Sequence, residues 1–280
     1  MDATGNIVPR DYAALDKPEV LEHLFHPSKI ARSLGSEGYV DHDIPVGDGI
    51  VVGARFHLPE EKGTPNIIFF HGNGELVSDY DDVGPLFVEQ GVGFIVVDYR
   101  GYGWSGGEPS VTAMIEDSHK VFDYVLAQLA ADERSGHLVV MGRSLGSAPA
   151  LELASIRHND LAGIIIESGF ANTIPVLKSL GVDVDSQGIT EERGFGNRLK
   201  IRDYKKPVLI LHAQNDQVIP LTEAADLHAE CEAAGKELQM IPGADHNNIL
   251  QVTGKLYFEV ISRFTRKLGR SPRRKKSGVR

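Results

Sequence analysis

The sequence predicts an α/β fold, a mostly parallel sheet flanked by helices, and three observations lead there. Short apolar, β-branched runs alternate with longer amphipathic stretches along the whole chain. Several runs are continuous apolar blocks (IIFF, FIVV, LVVM, GIII and VLIL), as in strands buried on both faces. The 280-residue length suits one substantial core, and the expected unit is a single domain over residues 1–269.

Taken in order, residues 1–35 read as an N-terminal extension, helical or irregular, packed ahead of the sheet. A strand around Gly38–Ile44 makes the leading edge mixed. The clearest strands follow at Ile50–His57, Asn66–Phe70, Gly93–Asp98, His137–Met141, Ala162–Glu167, Pro207–His212 and Glu237–Ile241. Helices fill the intervals at Ser78–Gln90, Ser110–Ala130, Ser147–Arg157, Leu221–Gly235 and Asn248–Leu268. In the second of these, Val111, Met114, Ile115, Val121, Phe122, Val125, Leu126 and Leu129 form a core-facing stripe at helical spacing. Residues 170–206 break the rhythm, with four glycines and mixed charges, and are expected to form a small lid inserted between two strands. The tail 270–280 (RSPRRKKSGVR) is too charged to pack and is expected to be disordered.

Charge narrows the function classes. The formal net charge is −10, yet Arg266–Arg280 holds eight Lys/Arg and no Asp/Glu, leaving −18 on the rest. An acidic body argues against nucleic-acid binding, which needs a basic footprint. Cys231 is the single cysteine, which excludes an intrachain disulfide and a cysteine-based zinc site; with no HExxH either, no metal is expected. The polar, acidic N-terminus lacks the apolar core of a secretory signal. No run of 18 apolar residues offers a membrane span, and the cytoplasm is the expected location.

Chemistry enters at Gly142-Arg143-Ser144-Leu145-Gly146, a G-x-S-x-G between a predicted strand and a predicted helix. So tight a turn stands the serine clear at its apex, and the flanking glycines remove side chains that would strike the neighbouring backbone. The helix that follows points N–H groups toward any negative charge developing on a substrate. Ser144 is therefore the candidate nucleophile.

A neutral serine needs a base within hydrogen-bond reach. Of 11 histidines, His246 (IPGADHNNIL) follows the last predicted strand and reaches the carboxyl edge of the sheet, the edge that carries Ser144. His71 ends a strand there too, but its HGNG setting suggests a turn role, and His212 reads as a buried, bonded core residue. His23, His26, His158 and His228 fall on helical stretches and read as surface or packing residues. Asp216 (ILHAQNDQVIP), at the same edge, is the candidate acid that holds the imidazole tautomer. Glu167, ending GIIIE, is its main rival; Asp245 adjoins the histidine too closely to orient it. For the oxyanion, the backbone N–H groups of Leu145 and Asn73 are the candidate donors, with Gly74 the alternative to Asn73. The run Gly101–Gly106 matches G-x-G-x-x-G, but Gly107, Glu108 and Pro109 separate it from the next helix, so no dinucleotide cofactor is expected.

With HGNG, DYRGYGWSGGEPS, GRSLGSAPALELA, PVLILHAQNDQVIP and GADHNNI in that order, residues 38–265 resemble the α/β-hydrolase superfamily. They most resemble the branch that includes protein depalmitoylases and Bem46-like hydrolases. The resemblance implies an eight-stranded sheet, a triad of Ser144, Asp216 and His246, oxyanion donors at Asn73 and Leu145, and a structural turn at Asp98–Gly103. Depalmitoylases of this branch carry an N-terminal cysteine cluster for membrane attachment, whereas here no cysteine precedes Cys231. Cleavage of a carboxylic ester or thioester through an acyl-serine is the expected activity, on a small-molecule acyl substrate and without a cofactor. An amidase or peptidase would use the same triad, and a non-catalytic binding scaffold is the alternative from another class. Leu76, Trp104, Phe170, Leu177 and Phe195 are the expected pocket walls, with Leu180 as a further large apolar residue of the insertion. So few imply a short-to-medium acyl preference.

Overall fold

The computed structural model describes residues 11–32 and 38–268; the basic tail 270–280 and part of the N-terminal extension lie outside these. Eight strands form one sheet: β1 (Val40–Gly47), β2 (Ile50–His57), β3 (Asn66–Phe70), β4 (Gly93–Val97), β5 (Leu138–Arg143), β6 (Gly163–Glu167), β7 (Val208–Ala213) and β8 (Lys236–Ile241). Their order is β1-β2-β4-β3-β5-β6-β7-β8. The β1/β2 and β2/β4 pairs are antiparallel and the rest parallel, so the predicted mixed leading edge is β1 and β2.

Alternation along the buried strands divides the core in two. Ile68, Phe70, Val140, Ile164, Ile166 and Ile210 point to one face, while Ile67, Phe69, Val139, Met141, Ile165 and Leu209 point to the other. The first face is covered by α1 (Pro18–Leu24), α3 (Val111–Ala131), α4 (Ser147–Ile156) and α7 (Leu221–Glu230). The second is covered by α2 (Gly84–Glu89) and α9 (Lys255–Leu268). Helix α3 begins where Ser110 Oγ accepts the Ala113 N–H at 3.0 Å and Asp16 Oδ1 accepts that of Val111 at 2.7 Å.

Two long helical stretches are interrupted. The expected helix Ser78–Gln90 is a 3-10 turn, Val77–Tyr80, followed by α2, which begins at Gly84 with Pro85 in its first turn, where the missing proline N–H costs no helix bond. The expected helix Asn248–Leu268 divides into α8 (Ile249–Thr253) and α9 at Gly254, whose φ of +52° and ψ of −128° no helix continues. Between β6 and β7 the insertion folds into α5 (Thr173–Ser179), a 3-10 turn at Glu191–Arg193 and α6 (Asn197–Asp203). Among the described residues no helix is long and apolar enough to cross a membrane.

Candidate active site

The chain leaves β3 toward β4 on one side and crosses to β5 on the other, so the loops after β3 and β5 diverge around a crevice at the carboxyl edge. Those loops are His71–Gly74 and the elbow at Ser144. Ser144 has φ +53°, a left-handed conformation that is strained for serine. The elbow is held by close approach: a Cβ at Gly142 would strike the Gly146 carbonyl, and one at Gly146 the Phe70 carbonyl. Ser147 Oγ then donates to the Ser144 carbonyl at 2.7 Å as α4 begins.

His246 joins the two other candidates. Its Nδ1–H donates to Asp216 Oδ2 at 2.7 Å, which leaves the Nε2 lone pair facing the Ser144 hydroxyl at 3.0 Å. All three residues are largely buried, with exposures of 7–8%. The other oxygen of Asp216 accepts the N–H groups of Val218 and Ile219 at 3.0 and 2.8 Å. Burial pushes the Asp216 carboxyl up, but the His246 hydrogen bond and charge, with the Ile219 N–H, outweigh it and leave it below the usual range. His212 Nε2–H donates to the Ile219 carbonyl at 2.8 Å and so braces this turn from beneath. Burial holds the His212 imidazole below its ordinary value.

Glu167, the rival acid, is engaged elsewhere. Its oxygens meet Arg143 Nε at 3.2 Å and the Tyr257 hydroxyl at 2.6 Å. Arg143 Nη1 pairs with Glu75 at 2.8 Å, and its Nη2 donates to the His246 carbonyl at 2.7 Å. Burial raises the Glu167 carboxyl above its usual range, against the pull of Arg143. Asp245 turns away from the imidazole and accepts from Asn247 N and Asn248 Nδ2 at 2.9 and 2.6 Å.

The candidate oxyanion donors face the same space. Leu145 is the second residue of a 3-10 turn, so its N–H precedes any intrahelical bond. The Asn73 N–H finds no acceptor among the described residues. Below them, His71 is fully buried and its Nε2 pairs with Asp98 Oδ1 at 3.2 Å, which also accepts the Val77 N–H at 2.9 Å. The hydroxyls of Tyr99 and Tyr102 reach up from the Asp98–Gly103 turn to the His71 carbonyl and to Asn73 Oδ1, at 2.6 and 2.8 Å.

A cavity of about 310 Å³ opens at Ser144 and His246, with Asn73, Leu145, Glu75, Arg143 and Asn247 on its polar side. Its apolar wall is Leu24, Phe170, Val176, Leu180, Val218 and Ile219. Of the expected wall residues only Phe170 and Leu180 line it. Leu177 and Phe195 are buried in the core, and Leu76 packs there at the start of a 3-10 turn. Trp104 lies over Gly53 on β2, where no side chain blocks it, and donates to Asp43 at 2.9 Å. His26, read as a surface or packing residue, bonds to Asn73; Pro27 carries the signal for this, because the residue before a proline is driven out of a helix. A second cavity of about 350 Å³ lies beyond Arg143, lined also by Tyr80, Glu167, Leu250 and Tyr257. Among the described residues no group of three or more His, Cys, Asp or Glu is placed to hold a metal ion.

Residues 62–180 match the family described as serine aminopeptidase, S33. The chain is 28% identical to the protein bem46 of Schizosaccharomyces pombe over 211 residues, covering 74% of this chain and 68% of that protein. It is 30% identical over 201 residues to a protein of Acanthamoeba polyphaga mimivirus named as an alpha/beta hydrolase, covering 71% and 73%. Among solved structures, an esterase of Pyrococcus furiosus superposes with a TM-score of 0.68 at 16% identity, covering 87% of this chain and 99% of that one.

Proposed function

From the premise that this chain belongs to the α/β-hydrolase superfamily, near its Bem46-like branch, and is a hydrolase of that type, we propose that it cleaves carboxylic esters or thioesters through an acyl-serine. The observation that carries the reading is His246, which bridges Ser144 at 3.0 Å and Asp216 at 2.7 Å. Ser144 Oγ attacks the substrate carbonyl carbon while its proton passes to His246 Nε2. Asp216 keeps Nδ1–H in place and stabilises the imidazolium that forms. The N–H groups of Asn73 and Leu145 receive the oxyanion, supplied by a preorganised loop and a turn rather than by mobile water. The intermediate collapses as Nε2 returns the proton to the leaving oxygen or sulfur. A water then attacks the acyl carbon as its proton passes to Nε2, and that proton goes on to Ser144 Oγ as the acid leaves.

The size of the apolar wall supports a short-to-medium acyl group. Each buried methylene contributes about 0.8 kcal/mol until the chain meets water. Specificity rises over the first few carbons and then levels off.

A second reading, an amidase or peptidase, is favoured by the description of the matched family and uses the same groups to protonate an amine. A fluorophosphonate probe followed by peptide mapping, with p-nitrophenyl esters, acyl thioesters and aminoacyl amides compared side by side, tests both. Label on Ser144 with ester or thioester turnover above amide turnover is expected. An unlabelled Ser144 overturns the nucleophile, amide preference favours the second reading, and kcat/KM that climbs through palmitate overturns the short acyl preference.

A further inference from the structure

The segment that leads into β1 runs beside the turn after β4. Gly103 N donates to Ser28 O at 2.8 Å, Ile30 N to Gly103 O at 3.3 Å, and Lys29 Nζ to Ser105 O at 2.5 Å. At the head of this strap, His26 meets Asn73, and the polarity of that contact can be assigned. A main-chain N–H only donates, and that of His26 donates to Asn73 Oδ1 at 2.8 Å. The Tyr102 hydroxyl donates to the same oxygen at 2.8 Å and accepts from His26 N at 2.9 Å. The amide is thereby oriented, and Asn73 Nδ2 donates to His26 Nδ1 at 2.7 Å.

We propose that His26 is a positioning residue for the oxyanion loop: with Tyr102 it clamps the Asn73 carboxamide and so holds the Asn73 N–H toward the cavity. The proposal rests on the reading of Asn73 as an oxyanion donor. Asp98 and the Tyr99 hydroxyl fix His71 at the start of the loop, but beyond it the Asn73 carboxamide is held through His26 and Tyr102. Glu75 Oε2 accepts the Gly72 N–H at 2.6 Å, and Gly74 sits at φ +77°, a conformation that glycine adopts freely. A donor fixed before the reaction stabilises developing charge without reorganisation, so loosening its anchor slows chemistry while ground-state binding stays. Just ahead of the strap, Leu24 at the end of α1 lines the cavity. All of it precedes residue 62, where the family match begins.

The test compares His26→Ala and His26→Gln in the full chain, with p-nitrophenyl butyrate as substrate and an aryl trifluoromethyl ketone as a probe whose hemiketal oxygen occupies the oxyanion site. For His26→Ala, kcat falls about tenfold with KM within about twofold, and the ketone binds weaker by the same factor. The exposed His26 side chain leaves the melting temperature unchanged. His26→Gln, whose side-chain carbonyl can accept from Asn73 Nδ2, recovers most of the loss. Wild-type kcat and ketone affinity in His26→Ala overturn the proposal, as does a rise in KM alone, or a loss that follows melting temperature without rescue by glutamine. Ester turnover that survives Ser144→Ala would instead overturn the underlying serine reading, and is scored separately.

Discussion

Arg143, the residue before the elbow serine, donates from Nη2 to the main-chain carbonyl of His246 at 2.7 Å. A side chain on β5 thus ties the loop that carries His246 to the strand that leads into Ser144. The guanidinium stays charged despite burial because Glu75 and Glu167 flank it. Replacing it with methionine leaves the buried Glu167 and the half-buried Glu75 without their cation, and an unpaired buried charge costs roughly 3–5 kcal/mol. Arg143→Met is expected to lower the urea midpoint markedly and kcat by about tenfold or more even where folded, because the base loses its anchor. A variant with wild-type stability and turnover would remove Arg143 from this role.

Ser144 occupies a backbone conformation that favours glycine. Ser144→Gly should abolish ester turnover yet raise stability by about 1 kcal/mol, as the positive φ ceases to be strained. Ser144→Ala should abolish turnover without that gain. Thermal unfolding of the two variants checks the difference, and equal melting temperatures would mean the turn is not under strain.

Asp216 and Glu167 separate by role. Asp216→Asn should cut kcat by about 10³–10⁴, because the amide no longer stabilises the imidazolium or enforces its tautomer. Glu167→Gln should cost less than about tenfold in kcat, since its partners are Arg143 and Tyr257. Steady-state kinetics decide, and a reversed ranking would reassign the acid.

Glu152 on α4 provides a pH signature of stability. Burial alone would push its carboxyl up, but His119 at 3.7 Å and Lys200 at 2.8 Å outweigh this and hold it at about 2. The folded value lies below the unfolded one near 4.5, so the stabilisation is complete above 4.5 and is lost as pH falls toward 2. Its full size is on the order of 3 kcal/mol. Urea unfolding across this range should fall more steeply for the wild type than for Glu152→Gln; parallel curves would show that the carboxyl carries no such linkage.

The strands and the elbow were legible because they obey local rules. Blocks such as LVVM and GIII mark strands buried on both faces, and a G-x-S-x-G between strand and helix leaves the chain few other turns. The pocket wall was less legible because α5 has only seven residues, and sequence does not set the phase of so short a helix. Val176 and Leu180, four residues apart, share the face toward the cavity, while Leu177 turns into the core. Arg143 occupies a variable position of its motif, and its three partners come from the loop after β3, the end of β6 and the loop after β8. The break at Gly254 was visible only as a glycine, since nothing local shows that the chain changes direction there.

The apolar wall has a consequence for how such an enzyme changes. Its side chains come from the end of α1 (Leu24), the insertion (Phe170, Val176, Leu180) and the turn after β7 (Val218, Ile219), and none lies within a strand. The groups assigned to bond cleavage sit on loops clamped directly to strand ends. At Leu24, Val176 and Leu180 the wall is therefore separate from the groups assigned to bond cleavage, and drift at these positions need not erode the reaction, whereas Val218 and Ile219 also hold Asp216. Libraries varied at Leu24, Val176 and Leu180 should yield new acyl preferences with the reactive serine still labelled at its parental rate.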